Sequence, residues 1–347
     1  FLFNRIVRAR YGIVTRGVTT NLNIAPVVSD NIIGPAAFGS DQIGKVGIFM
    51  QADTGATVAR NVVQFVGCLD PQACTGADRV GIAIGTESWS MAPGTITSNS
   101  YTVTRNVIHD VIEETTFSGV GLLLGTTGGG VATNNLVANN FIYNVRANGT
   151  SGDQAVGLGI SGGHTDVVVN NSIAMTGDVD PGVAGASTNF GSGIRIASAS
   201  SASHANLTLR NNSVYMDLSS SSTAANRFYA VSGNAAGYAF GTGGENFNNY
   251  YINPSNGQLQ TGGLGTTSGS TLTTQFATLA LWQAAYTAPQ DANSLQANPN
   301  HFSPTTDLHI GQTSPNIDTG TTVAAVTVDI DNEARPNGAA YDIGADE

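Results

Sequence analysis

The chain has 347 residues, 43 of them glycine, with only 11% charged side chains and a net charge of −11. That balance excludes a nucleic-acid partner, which requires a basic footprint, and it is far from the Glu/Lys/Leu-rich composition of a helical enzyme. No run of about 18 apolar residues is present to cross a membrane as a helix.

The chain opens with FLFNRIVRARYGIV, which reads as strand already inside a repeat, and the expectation is that the sequence is a piece of a longer polypeptide. From there a glycine-led aliphatic segment recurs: YGIV at Gly12, then Gly47, Gly81, Gly121, Gly157 and SGIRI at Gly193, spaced 35, 34, 40, 36 and 36 residues apart. A second series interleaves with it, an asparagine opening a short apolar segment at Asn31, Asn61, Asn106, Asn140, Asn171, Asn212 and Asn249. Helical repeats of similar period exist, but these segments are four to six residues long, rich in Val and Ile and bounded by Gly, Asn and Ser, so they are strands. No repeat of this size buries its apolar face alone; coiling one on the next does. The expectation is a single-stranded, right-handed parallel β-helix over residues 1–257, with neighbouring coils about 4.8 Å apart. Asparagine suits its corners because it tolerates the left-handed backbone region and its amide can bond to the asparagine one coil away.

Cys68 and Cys74 lie in GCLDPQACTG, six residues apart. In an oxidising compartment they would close a small disulfide ring; otherwise they are two unpaired thiols. Extra residues at 67–77, 87–98, 177–190 and 198–204 must leave the coil as loops.

Catalysis on such a scaffold needs convergent groups. SGGH ending at His164, followed one repeat later by GIRI with Arg195, resembles the Gly-His-Gly and Arg-Ile-Lys elements of polygalacturonases. Thr165 and Ala197 depart from that pattern, and no Asn-Thr-Asp or Asp-Asp element precedes it. A lyase would need a base and a group that neutralises a uronate carboxyl. Arg195 and the loop carboxylates Asp178 and Asp180 would serve, the latter pair holding a cation. The reading preferred over both is strand-edge polar residues without catalysis.

Beyond residue 257 the pattern fades through TGGLGTTSGSTLTT into FATLALWQAAY, whose Phe276, Leu279 and Trp282 fit one helical face. Residues 258–347 are expected to form the last turns and a C-terminal cap of the same domain, covering strand edges that would otherwise template aggregation. Trp282-Gln283, Asp307-Leu308-His309, Ser314 to Gly320 and the ending DIDNEARPNGAAYDIGADE resemble bacterial parallel β-helix repeat proteins of the pectate-lyase-like superfamily. That resemblance implies an exported, cell-surface, multidomain protein; few such proteins carry chemistry. Asp329, Asp331 and Glu333, at alternate positions, offer oxygen ligands of the kind calcium takes, although a closing strand with exposed acids is the preferred reading and no cofactor is required. The functional expectation is an extracellular scaffold or adhesin, its partner a glycan or a neighbouring surface protein. A polysaccharide lyase or glycoside hydrolase of the same superfamily is the alternative.

Overall fold

Short Val- and Ile-rich strands cannot satisfy their backbone groups internally, so each takes its partners from the coil before and the coil after. The computed structural model describes residues 1–68, 76–89, 97–126, 132–150, 152–181, 190–196, 206–234, 240–268, 271–285 and 290–347. They form a parallel β-helix in which each coil gives one strand to each of three stacks. Stack one is mostly three-residue strands: Val27–Ser29, Thr57–Ala59, Thr102–Thr104, Leu136–Ala138, Val167–Val169, Leu207–Arg210 and Phe240–Asn246. Stack two runs through Ile32–Ile33, Val62–Cys68, Val107–Glu113, Phe141–Ala147, Ser172–Asp178, Ser213–Ser219 and Asn249–Ile252. Stack three runs through Ala9–Arg16, Ile43–Gln51, Arg79–Ile84, Gly119–Leu124, Ala155–Ile160, Phe190–Ile196, Arg227–Gly233 and Leu259–Ser268.

In-register stacking turns each inward position into a column. Val28, Val58, Val103, Val137, Val168 and Leu209 align in stack one, and Ile33, Val63, Ile108, Ile142, Ile173, Val214 and Tyr250 in stack two; all are fully buried. Each aliphatic chain so removed from water contributes about 1.5–3 kcal/mol. The glycine series forms one column in stack three. A Cβ at Gly121 would sit 2.4 Å from Ile142 Cγ2 and 2.6 Å from the Gly157 carbonyl oxygen, so the stack is too close there for any side chain.

The corner between stacks one and two is made by two residues per coil. The first takes the left-handed conformation, at Asp30, Arg60, Arg105, Asn139, Asn170, Asn211 and Phe247, with φ from 51° to 59°. The second is the ladder asparagine: Asn31, Asn61, Asn106, Asn140, Asn171 and Asn212, each donating its amide to the next. The sequence spacing assigns the seventh place to Asn249, but the structure gives it to Asn248, which accepts from Asn212 at 3.1 Å. Phe247 takes the left-handed position there, so the Asn248-Asn249 pair sits one residue later than the other doubled asparagines, and Asn249 pairs with Ser213 inside stack two.

The C-terminal end of the coil is closed by residues 259–285. Leu259–Ser268 pairs antiparallel with Thr271–Phe276, and the five-residue helix Leu279–Gln283, N-capped by Thr278, lays Trp282 over Gly262. Gly262 continues the inner column of Leu158, Ile194 and Val231, and its missing side chain is the space the indole fills. The helix therefore packs on Trp282 and Leu279, while Phe276 belongs to the preceding strand and meets Trp282 edge-on at 5.6 Å.

The segment from about 300 onward does not stay at that end. It turns back along the outer flank, over the corner between stacks one and two. Asn211 bonds to Thr321, Asn170 to the Asp342 carbonyl, Asn139 to the Val328 carbonyl, and Arg105 to Asn332. The corner asparagines present amides outward, and the flank carries apolar residues that need cover. Val326 packs on Ala138 and Val169, and Leu308 and Ala345 pack on Phe141, Tyr143 and Ala174. Residues 329–342, expected as strands closing the end of the coil, instead form turns, with one isolated bridge between Val328 and Ala334, and lie as a lateral cover. At the opposite end Phe1, Leu2, Phe3, Val18 and Ile24 remain exposed. Cys68 ends its strand, and Cys74 lies outside the described residues. Most of the expected loops lie outside them too.

Candidate functional site

The returning segment leaves a cleft of about 380 Å³ between itself and the coil. Its floor is the outer side of stack two, where Phe141 and Tyr143, two residues apart on one strand, point the same way. His109 stacks on Tyr143 from the neighbouring coil, with ring centroids 4.8 Å apart and planes 2° apart. Arg60 and Arg105 enter from the corner, where their left-handed backbone aims them outward.

The facing wall is the hairpin His301–Ser303/Asp307–Ile310 and the turn after Asp329. Asp307 and His309 alternate along a strand and so share a side. His309 Nδ1 bonds to Asp307 Oδ1, its Nε2 lies 2.8 Å from Asp331 Oδ2, and its ring meets Phe141 edge-on at 4.9 Å. Burial works against the charge on His309, but its bond to Asp307 and the charges of Asp346 and Asp331 hold its pKa above the ordinary value. Asp307 is partly desolvated, yet its bonds with His309 hold it below the usual carboxylate range. Burial, with Asp110 and Asp307 nearby, pushes the Tyr143 phenol up to about 12, so it stays a neutral donor. Arg60 is occupied by a bidentate bond to Asp30, 2.7 Å on each nitrogen, and Arg105 by Asn332. The cleft thus offers an aromatic floor, a cationic wall and an anionic wall.

The four residues weighed for catalysis lie elsewhere and on different sides of the coil. His164 precedes stack one, its backbone bonded to Thr133. Asp178 ends its stack-two strand and Asp180 follows it, both as turn builders: Asp180 is buried and accepts from Ser220, Ser221 and Ser222, while Asp178 accepts from the backbone of Asp180 and Ser221. Arg195 lies in stack three, fully buried, donating to Asn234 at 2.7 Å beside the Phe190 ring.

Asp329, Asp331 and Glu333 do not converge as a ligand set. Asp329 is buried and its Oδ1 accepts the backbone N–H groups of Asp331 and Glu333, which shapes the turn. Asp331 alone of the three lines the cleft. Sequence reasoning missed Asp307, His309 and Asp346 as site residues. The one local signal was Asp-x-His on a short strand, which puts both side chains on one face; the approach of Asp331 and Asp346 depends on the fold-back of the whole segment. No family model matches the chain, and no curated protein matches it either.

Proposed function

We propose that the chain is an exported, non-catalytic surface scaffold whose flank cleft binds a saccharide. The observation that carries this reading is the cleft itself. The small parts of Phe141 and Tyr143 that reach the cleft, 4% and 7% of each residue, give its floor an apolar edge for a sugar ring, and Arg105, Asp331 and His309 at the rim suit its hydroxyls and any carboxylate. A rigid coil with few charged residues, 11% of the chain, and a net charge of −11 supports display at a cell surface. The likeness of residues 276–347 to bacterial parallel β-helix repeat proteins of the pectate-lyase-like superfamily supports the same location.

Turnover of an acidic polysaccharide is the second reading, favoured by the Asp307–His309 pair facing two arginines. Against it, the raised pKa of His309 favours its protonated form, which cannot act as a general base. The test is a glycan-array screen followed by calorimetry on pectate, alginate, chondroitin and neutral glycans, with product absorbance and reducing ends followed in parallel. Binding without turnover, weakened at least tenfold by Tyr143→Ala, supports the proposal. Turnover abolished by His309→Ala replaces it with the enzyme reading, and absence of glycan binding removes the saccharide.

A further inference from the structure

We infer that His309, Asp331 and Asp346 form a binding site for one divalent first-row transition metal. Their ligand atoms, one ring nitrogen of His309 and one oxygen from each carboxylate, all lie within 4.8 Å of one another. The three come from separate parts of the returning segment, so an ion held by them would tie the hairpin, the turn after Asp329 and the C-terminal residues together.

The imidazole is what lifts this cluster above a patch of surface acids. Asp307 engages Nδ1, which fixes the ring and leaves Nε2 facing Asp331 and Asp346. A metal-bound histidine characteristically has its other nitrogen held by a carboxylate in this way. Asp346 is itself placed by a 2.8 Å bond from the Ile310 backbone N–H. A second observation stands outside the cluster's own bonds. Asp329 is fully buried, its Oδ2 has no hydrogen-bond partner among the described residues, and it lies near enough to raise the pKa of Asp346.

Charge points the same way. Asp307, Asp331 and Asp346 all act on one imidazole, while Arg335, whose charge also interacts with Asp329 and Asp346, donates to Glu347 and to the Gly344 and Asp346 carbonyls. Calcium and magnesium take oxygen ligands, whereas a mixed imidazole–carboxylate set selects zinc and its neighbours. Metal bonds of about 2.0–2.2 Å require the ligands to close further than they stand here. Asp331, with 55% of its side chain exposed, is free to swing inward. The inference does not depend on saccharide binding.

The test uses the whole chain, tag-free and stripped with chelator, titrated with zinc chloride by calorimetry and with cobalt(II) by visible absorption. One equivalent should bind, with affinity falling as pH is lowered because the proton on His309 competes. His309→Gln and Asp331→Asn should each weaken zinc at least tenfold. Asp307→Asn, a positioning change, should weaken it about 10–100-fold with an unchanged circular dichroism spectrum. No saturable 1:1 binding overturns the inference, as does binding that survives His309→Gln. Should that variant fail to fold, Asp331→Asn at its exposed position decides alone. Calcium displacing zinc at equal concentration overturns the choice of metal.

Discussion

Asn248 donates from Nδ2 to Asp291 Oδ1 at 3.2 Å, so a ladder of side-chain amides that begins at Asn4 ends on a carboxylate. Every amide in the ladder donates toward the C-terminal end and accepts from the coil before, and the last place therefore needs an acceptor. Asp291 fills it, and also accepts from Trp282 Nε1 and Ser294 Oγ. Beside it Glu245 continues the inner column of Val168 and Leu209, a carboxyl in an aliphatic position. Its complete burial, with Asp291 adjacent, holds its pKa well above the ordinary value, which favours a proton shared between the two carboxyls.

Removing one ladder amide in mid-coil should be expensive. Asn140 donates to Asn171 Oδ1 and to the Val103 and Ala138 carbonyls, and accepts from both the side chain and the backbone of Asn106. Each buried partner left alone costs about 1–3 kcal/mol. Asn140→Ala is expected to lose roughly 3 kcal/mol in urea unfolding. Asn140→Asp should lose more at neutral pH, because a carboxylate facing Asn171 Oδ1 has no proton to offer. A loss under about 1 kcal/mol for the alanine variant would show that the ladder is incidental to stability.

The glycine column gives a sharper contrast. Gly121→Ala forces a methyl into the Gly157 carbonyl and Ile142, neither of which can retreat without moving a strand. The expected loss is about 2–3 kcal/mol, the range for overpacking a close-packed interior. At Gly39 a methyl would meet nothing within 4 Å, and φ is not left-handed, so Gly39→Ala should be within about 0.5 kcal/mol of the parent. Equal thermal shifts for the two would contradict the close approach.

The coil was legible in the sequence because each periodic feature has one physical cause repeated at every turn. Glycine marks the closest approach, asparagine the corner, and alternating Val and Ile the inward column. The misplacement of Asn249 shows how the inference fails: an asparagine pair looks the same whether its first or second member is left-handed, and only Phe247 in the turn reveals the slip. The cleft was not legible. Arg60 and Arg105 are 45 residues apart, and Asp307 and His309 reach them only because residues beyond 300 fold back along the flank. That path rests on contacts that do not repeat, such as Asn316 with Ser213 and Ala345 with Ser172.

The returning segment should release separately from the coil. Arg335 and Glu347 form a buried ion pair, with side-chain exposures of 0% and 1%. Breaking such a pair from one side typically costs about 3–5 kcal/mol, since it strands a buried charge. Glu347→Ala is expected to raise hydrogen exchange across residues 318–347 while amides of the inner strands, such as Val137 and Val168, stay protected. Equal loss of protection in both regions would mean that segment and coil unfold as one unit.

Stability should fall as pH rises from about 4 toward neutrality, and Asp166 is a principal cause. It is almost wholly buried at the start of stack one, and burial pushes its carboxyl up to about 7 against the opposing bonds from Thr133 and Asn135. A carboxyl whose folded pKa lies above its unfolded value of about 3.9 stabilises the fold fully below that value. The contribution is then lost as pH climbs through the folded pKa, here between about 4 and 7, and amounts to at most about 4 kcal/mol. Asp78 and Asp342, both raised to about 6 by burial first of all, act in the same direction. Asp166→Asn keeps an oxygen for Thr133 and Asn135 but cannot ionise. Its melting temperature should fall less than that of the parent as pH rises from 5 to 7, with little further divergence between pH 7 and pH 8. Calorimetric scans at pH 5, 6.5 and 8 that give parallel profiles for the two proteins would show that Asp166 does not carry the pH dependence.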